Sequence, residues 1–300
     1  MRRPDRPPRP ARRFRLAPRR LVVLLPAWAW LALFVAAPAL VLLGIALGEY
    51  DTGVPPFRPP LGPGGAWQGT LANFAAVATD PFYRDGFLRS LLVAFATAAL
   101  CLLVGYPMAL AMARAPEARR TPLLLAVLLP FWTGFLIRVG AWIGLLRDEG
   151  WLNGVLRALG VIGEPLPLLY SDLAMYVGMV HAYLPFAVLP LYAALARRDP
   201  AVEEAAADLG ARPAVVFVTV TLPLSAPGAA AAFLLVFIPA AGEFVIPDLL
   251  GPPEAQLVGR MLWGEFFQNR DWPLAAALAV ALLAVLILPV RLFQRLEAGR

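Results

Sequence analysis

The chain has 300 residues, of which 60% are hydrophobic and only 15% are charged, whereas soluble domains carry about 25% charged residues. All 26 residues counted as lysine or arginine are arginines, which excludes a phosphate-binding P-loop and a Schiff-base site, because each needs a lysine. The single cysteine, Cys101, and the single histidine, His181, exclude an intrachain disulfide and cysteine- or histidine-cluster metal sites. We therefore expect a polytopic membrane protein without hydrolytic or redox chemistry of its own.

Six apolar runs approach or exceed the roughly 20 residues that a transmembrane helix needs. They are Leu21–Leu47, Leu91–Ala113, Thr121–Leu146, Leu173–Ala196, Leu224–Leu250 and Trp272–Val290. None shows the polar–apolar alternation of strands in a transmembrane β-barrel. The sequence predicts an all-α protein with six transmembrane helices.

Arginines indicate the orientation of these spans. Nine lie within residues 1–20, and three lie in each of the segments 114–120, 197–212 and 291–300. In a six-span topology all four segments fall on the same side, and the other connections carry fewer arginines. The positive-inside rule places that side in the cytoplasm, so both termini are predicted to be cytoplasmic.

The N-terminal tail, residues 1–20, has two interpretations. Arg12, Arg13 and Phe14 faintly resemble a twin-arginine export signal. The alternative, which we favour, is a disordered basic tail held near anionic lipid. The apolar run that follows is too long for the core of a cleaved signal peptide.

The first extracytoplasmic loop is rich in proline and glycine over residues 53–67, which predicts irregular structure, with a short helix near residues 71–78. Aromatic residues mark the predicted outer boundary. An aromatic belt at the membrane interface accounts for several of them. Trp263, Phe266 and Phe267 are alternatively a docking site for an external partner.

A short acidic segment separates the fourth and fifth spans. Asp199 suits the N-cap of a helix, Pro200 its first position and Gly210 the left-handed residue that ends it. At 1.5 Å per residue such a helix is about 15 Å long, which is too short to cross a bilayer. Its apolar residues recur at helical spacing and form one stripe: Val202, Ala205, Ala206 and Leu209.

This helix lies either on the lipid surface or in the groove of a partner protein. Helices on anionic lipid usually carry basic residues on their polar face. Here the polar residues include Glu203, Glu204 and Asp208. The acidic face therefore favours a protein partner.

The same segment resembles a known motif. Glu204-Ala205-Ala206, then Gly210, then Val220 to Pro223 follow the spacing of the EAA loop in permease subunits of ATP-binding cassette (ABC) importers, with Val220 where isoleucine is commoner. The resemblance runs from about Phe87 to Val290. Segments similar to the first permease of spermidine/putrescine importers are 128–153, 183–195, 237–251 and 270–280.

The resemblance implies a MetI-like permease fold. We expect a basic cytoplasmic tail (1–20), a first span (21–47), an extracytoplasmic loop (48–86), a permease core (87–293) that contains the cytoplasmic coupling loop (199–223), and a second cytoplasmic tail (294–300). The residues that the motif assigns to ATPase coupling are Glu203, Glu204, Ala205, Ala206, Asp208, Leu209, Gly210, Leu222 and Pro223.

The implied partners are ATP-binding cassette ATPase subunits, a second similar permease, an extracytoplasmic substrate-binding protein and the lipid bilayer of the bacterial cytoplasmic membrane. The implied cargo is a polyamine. We expect no catalytic residue, metal, cofactor or nucleic-acid partner in this chain. Alternatives are an ABC permease for another small solute and an ion-coupled secondary carrier, although no internal repeat is evident.

Three ionisable residues within the spans are candidates for the translocation path. Glu243 follows Pro239 and Gly242, which loosen a helix, so its carboxylate either guides a cation or pairs with Arg138. Arg138 is interpreted mainly as a residue near the outer interface that reaches out to water, because it lies about 25 Å along a straight third span, and otherwise as part of an ion pair or of the translocation path. His181 is interpreted mainly as a hydrogen-bonded contact between helices.

Overall fold

The computed structural model describes residues 18–298, and the side chains of residues 24–295. Both interpretations of the N-terminal tail concern residues that lie almost wholly outside this range. The α-helices are α1 (Pro18–Leu31), α2 (Ala37–Ala46), α3 (Ala72–Thr79), α4 (Pro81–Arg114), α5 (Glu117–Leu128), α6 (Phe135–Leu146), α7 (Trp151–Ala158), α8 (Asp172–Ala196), α9 (Pro200–Asp208), α10 (Pro213–Val216), α11 (Leu222–Ala241), α12 (Val245–Leu250), α13 (Val258–Trp263) and α14 (Trp272–Ala298).

Shorter elements join several of these helices. π-Helical turns occupy Ala32–Ala36, Phe217–Thr221 and Gly264–Gln268, and a 3₁₀ turn occupies Leu129–Trp132. The first loop contains the predicted short helix, α3, and also a small antiparallel hairpin of β1 (Glu49–Tyr50) and β2 (Phe57–Arg58) that was not expected.

Within residues 18–298, five helical segments are long and apolar enough to cross a membrane. They are Leu24–Ala46, Pro81–Arg114, Asp172–Ala196, Pro213–Ala241 and Trp272–Arg295. A sixth crossing is obtained if the bent pair Glu117–Trp132 and Phe135–Ala158 is counted as one span. The all-α polytopic fold class is confirmed.

The third span departs from the sequence prediction of a single run over Thr121–Leu146. Its two halves are bent by 86°. Pro130 has no backbone N–H for the ladder, and Thr133 adopts an extended backbone (φ −81°, ψ 141°) with its hydroxyl donating to the Pro130 carbonyl at 2.7 Å. Arg138 consequently lies just beyond the bend, and its predicted position far along a straight helix is wrong.

The fifth span is also displaced from its predicted bounds of Leu224–Leu250. It begins at Pro213, passes through the π-helical turn at Phe217–Thr221 and ends at Ala241. The chain then turns at Gly242 and forms the separate helix α12. Glu243 therefore lies in a turn between two helices, where backbone N–H groups are free to bind a side chain.

The core forms where α4, α8 and α11 pack together. Small residues allow the close approach: a Cβ added to Gly105 would lie 3.3 Å from a Val188 methyl carbon, and one added to Gly228 would clash with Ala194. The first span packs against α14 instead. Its C-terminal end is held by Asn73, whose amide donates to the carbonyls of Ala46 and Gly48 at 2.9 Å.

Candidate functional site

The acidic segment forms helix α9 with the caps that its sequence predicts. The Asp199 carboxylate accepts from the Ala201 amide at 3.0 Å. At the other end Gly210 has φ +85°, and Ala211 donates to the Ala206 carbonyl at 3.1 Å, which is the bonding pattern of a glycine-terminated helix. A Cβ added to Gly210 would meet no atom within 4 Å. A side chain there is therefore disfavoured by backbone conformation, not by space.

One face of α9 is open. Val202 is 47% exposed and Leu209 is 90% exposed. Glu204 and Asp208 are exposed beside them, and Ala206 is half-buried. An apolar stripe bordered by acids is thus accessible on this face, while Leu222 and Pro223 lie in the first turn of α11 rather than on α9. The assignment of these residues to ATPase coupling stays a prediction.

Glu203 differs from the other acids because it points into the protein. Its carboxylate accepts from the Thr221 hydroxyl at 2.6 Å and from Arg114 at 3.1 Å, and it also pairs with Arg198. Partial burial raises the pKa of this carboxyl, but the three donors outweigh that effect and hold the pKa below its usual value. The carboxylate is therefore charged at neutral pH and ties α9 to the ends of α4 and α8 and to the start of the fifth span.

Glu243 caps the helix that follows it. One carboxylate oxygen accepts from the backbone amides of Val245 at 3.0 Å and Ile246 at 3.4 Å. The other accepts from the hydroxyl of Tyr183, a buried residue of α8. The side chain is half-buried, so the carboxylate is held rigidly and is still partly accessible.

Arg138 has other partners. Its guanidinium donates to the Pro130 carbonyl at 2.7 Å and lies 4.8 Å from the centre of the Phe131 ring and 6.0 Å from that of Phe135. Its Nε is buried without a hydrogen-bond partner among residues 18–298. Arg138 thus adds a charged donor to a carbonyl at the bend of the third span that already accepts from Thr133.

Glu243 and Arg138 do not form an ion pair: no such bridge occurs within the described part of the chain, and the pairing hypothesis is wrong. A row of aromatic rings instead runs from Tyr183, which binds Glu243, to Phe131, which lies under Arg138. Tyr183 and Phe186 have centroids 6.3 Å apart, and Phe186 meets Phe131 edge-on at 5.2 Å. Sequence reasoning missed this row, because its rings come from two distant segments.

His181 packs edge-on against Trp142, with 5.6 Å between ring centroids. Among the residues whose side chains the structure describes, it makes no hydrogen bond. It lines an apolar hollow with Leu100, Val104 and Tyr176. The interpretation of His181 as a hydrogen-bonded contact is not supported, and an aromatic contact takes its place.

The chain matches, over residues 21–299, the protein family described as "Binding-protein-dependent transport system inner membrane component". The chain belongs to this family. It is therefore a multi-pass inner-membrane component of a bacterial importer, and a transport protein rather than an enzyme. The ion-coupled secondary carrier is removed as an alternative.

Relatives and solved structures agree with this assignment. The permease is 36% identical to the spermidine/putrescine transport system permease protein PotB of Salmonella typhimurium strain LT2, over 91% of this chain and 92% of the relative. It is also 36% identical to PotB of Escherichia coli K12, over 89% and 93% of the two chains. A bacterial alginate ABC transporter, solved with an alginate pentasaccharide-bound periplasmic protein, shares the fold with a TM-score of 0.65 at 19% identity, over 92% of both chains. The predicted family and the ABC-permease fold are confirmed.

The predicted outer docking aromatics form a cluster in the permease. Trp263 stacks on Phe244 at 4.8 Å and lies 4.1 Å from Phe267, and Phe266 stacks on Trp272 at 5.0 Å. Trp263 and Phe267 remain 43% and 57% exposed. Both an interface belt and a docking surface are compatible with this arrangement, and docking stays a prediction.

Proposed function

We propose that the chain lines the translocation path of an ABC importer for spermidine or putrescine. The observation that carries this proposal is the 36% identity to PotB proteins over about nine tenths of both chains. Identity of this extent covers the path-forming spans and the coupling loop together.

The chemistry near the fifth-span turn supports a cationic cargo. A rigidly held carboxylate, Glu243, lies at one end of a row formed by Tyr183, Phe186 and Phe131. Carboxylates and aromatic faces both attract ammonium groups. Phe186 and Phe131 are 38% and 39% exposed, which leaves ring surface available to a cargo or to another chain.

The proposed machine also contains two ATPase subunits, a second similar permease and a substrate-binding protein outside. The chain has no lysine for a P-loop, so the nucleotide must be hydrolysed by another subunit. The open face of α9, with Val202 and Leu209 exposed, supports α9 as the foot that fits a groove on the ATPase.

Both termini and α9 are proposed to be cytoplasmic, on the arginine distribution. The single native cysteine, Cys101, is buried. In a Cys101→Ala background, an introduced cysteine is the only thiol that can be labelled. A membrane-impermeant maleimide is expected to label Ala66→Cys, an exposed position of the first loop, in intact cells and Glu204→Cys only after the membrane is opened. Labelling of position 66 only from the inside contradicts the six-span orientation.

Reconstitution tests the function. Proteoliposomes with the chain and the proposed ATPase, second permease and binding protein are expected to accumulate radiolabelled spermidine when ATP is supplied on the ATPase side. The purified chain alone is expected to hydrolyse no ATP. Uptake of a different solute, with no uptake of spermidine or putrescine, would replace the cargo but keep the importer. ATP hydrolysis by the pure chain would contradict the permease role.

A further inference from the structure

A polar cavity of about 360 Å³ lies beside the outer aromatic cluster. It is formed by the start of α4, by α12 and by α13 with the π-helical turn that follows. Its lining includes Phe82, Phe244, Asp248, Arg260, Trp263, Glu265 and Asn269. The volume falls in the range of small-molecule sites. We call it the Glu265 cavity.

Glu265 is a carboxylate that the fold buries without a cation. The residue is only 8% exposed. Its oxygens accept from the Tyr83 hydroxyl at 2.7 Å and from the Asn269 amide at 2.9 Å, and both donors are neutral. No arginine or histidine of the described range forms an ion pair with it. A carboxylate buried without a cationic partner is costly, and a bound cation would offset the cost.

The local backbone around Glu265 is not a regular α-helix. The residue lies in the π-helical turn Gly264–Gln268, and such turns recur at functional sites. The second acid of the lining, Asp248, is already paired with Arg260 at 3.3 Å, and Arg260 also donates to the Pro253 carbonyl at 2.9 Å. The unbalanced charge of the cavity is therefore that of Glu265.

The aromatic side chains of the lining suit an organic cation. Phe244 and Trp263 present stacked rings, and Phe82 is 47% exposed beside them. Aromatic faces attract ammonium groups, whereas a strongly hydrated metal ion requires a shell of oxygen ligands. Carboxylate and rings together are the chemistry that recognises an alkylammonium group.

We infer that the Glu265 cavity binds an ammonium end of an aliphatic polyamine at the outer mouth of the permease, before the cargo reaches Glu243. This inference rests on the proposed function. Phe244, which lines the cavity, directly follows Glu243 in the chain. Helix α13 packs tightly on the same turn. A Cβ added to Gly259 would lie only 2.6 Å from the Gly242 carbonyl oxygen. The cavity and the Glu243 turn therefore share a wall.

Spermidine titration of the full chain in lipid nanodiscs tests the site. Glu265→Gln keeps the shape and removes the charge, and is expected to weaken spermidine binding by about tenfold or more. The matched control is Glu254→Gln, an exposed acid on the same outer connection, which is expected to change binding by less than about twofold. Trp263→Leu is the second variant, with an expected loss of about fivefold, and it tests the site even if Glu265→Gln fails to fold.

Equal spermidine affinity in a folded Glu265→Gln variant and the wild-type chain overturns the inference, as does a wild-type chain that binds no spermidine. Competition by Mg²⁺ at concentrations equal to those of spermidine also overturns it, because the site is then a general cation site. Uptake by the assembled transporter is measured separately. An importer that carries no polyamine refutes the proposed cargo. Normal polyamine uptake together with unchanged spermidine binding in Glu265→Gln refutes only the proposed binding site in the cavity.

Discussion

Glu243→Gln is expected to slow ATP-dependent spermidine uptake by about 10- to 100-fold, which corresponds to the roughly 1.5–3 kcal/mol of a hydrogen bond to a charged group. The carboxylate lowers the cost for an ammonium group that leaves water and enters a low-dielectric passage. Glutamine retains the shape and one acceptor oxygen. That oxygen can still cap the amides of Val245 and Ile246, while the new NH₂ group donates to the Tyr183 oxygen. Assembly and basal ATP hydrolysis are therefore expected to persist.

Tyr183→Phe is the matched control for Glu243→Gln. It removes the hydroxyl that Glu243 accepts from and leaves the carboxylate charged. We expect a loss of about 1 kcal/mol in stability and a smaller effect on uptake. Because Arg138 binds the Pro130 carbonyl rather than Glu243, an added Arg138→Gln should not rescue Glu243→Gln. Rescue, or wild-type uptake by folded Glu243→Gln, contradicts the path role.

Gly210→Val is expected to abolish most coupled transport while the chain still inserts in the membrane. A β-branched residue at φ +85° costs roughly 1–3 kcal/mol, equivalent to about 5- to 150-fold in an equilibrium. The strain is relieved when the chain leaves the left-handed conformation, which redirects residues 211–223 relative to α9. Uptake and ATPase co-purification measure the effect. Gly210→Asn is the matched control, because asparagine tolerates this conformation, and it should retain most activity.

Variants of two neighbouring acids distinguish contact with the ATPase from anchoring of α9 within the chain. Glu204 is exposed, so Glu204→Lys should leave the chain stable and weaken ATPase association by charge reversal. Glu203 binds Arg114, Arg198 and Thr221, so Glu203→Gln should keep the ATPase bound but loosen α9, so that ATP is hydrolysed with less uptake. If the two single variants, Gly210→Val and Glu204→Lys, both transport at wild-type rates, α9 is only a connector.

Local sequence features determined several parts of this protein. Membrane insertion follows from apolar runs long enough to span a bilayer, and each run can be recognised without its neighbours. The limits of α9 follow from Asp199, Pro200 and Gly210, because a helix cap acts on residues within one turn. The EAA spacing from Glu204 to Pro223 was likewise sufficient to predict the family that the comparisons confirm.

Tertiary packing decided the chemistry of the individual side chains. Glu243 bonds Tyr183 across 60 positions of sequence, and Glu265 bonds Tyr83 across 182. The bend that places Arg138 over Phe131 depends on how the two halves of the third span pack, although Pro130 permits it. The tertiary packing of α4, α8, α11 and α14 determines these partners, and no local sequence pattern predicts them. The sequence therefore determined which segments are apolar enough to cross the membrane and predicts which one couples to a partner, whereas only the folded arrangement decided which charges are anchored within the chain and which remain exposed.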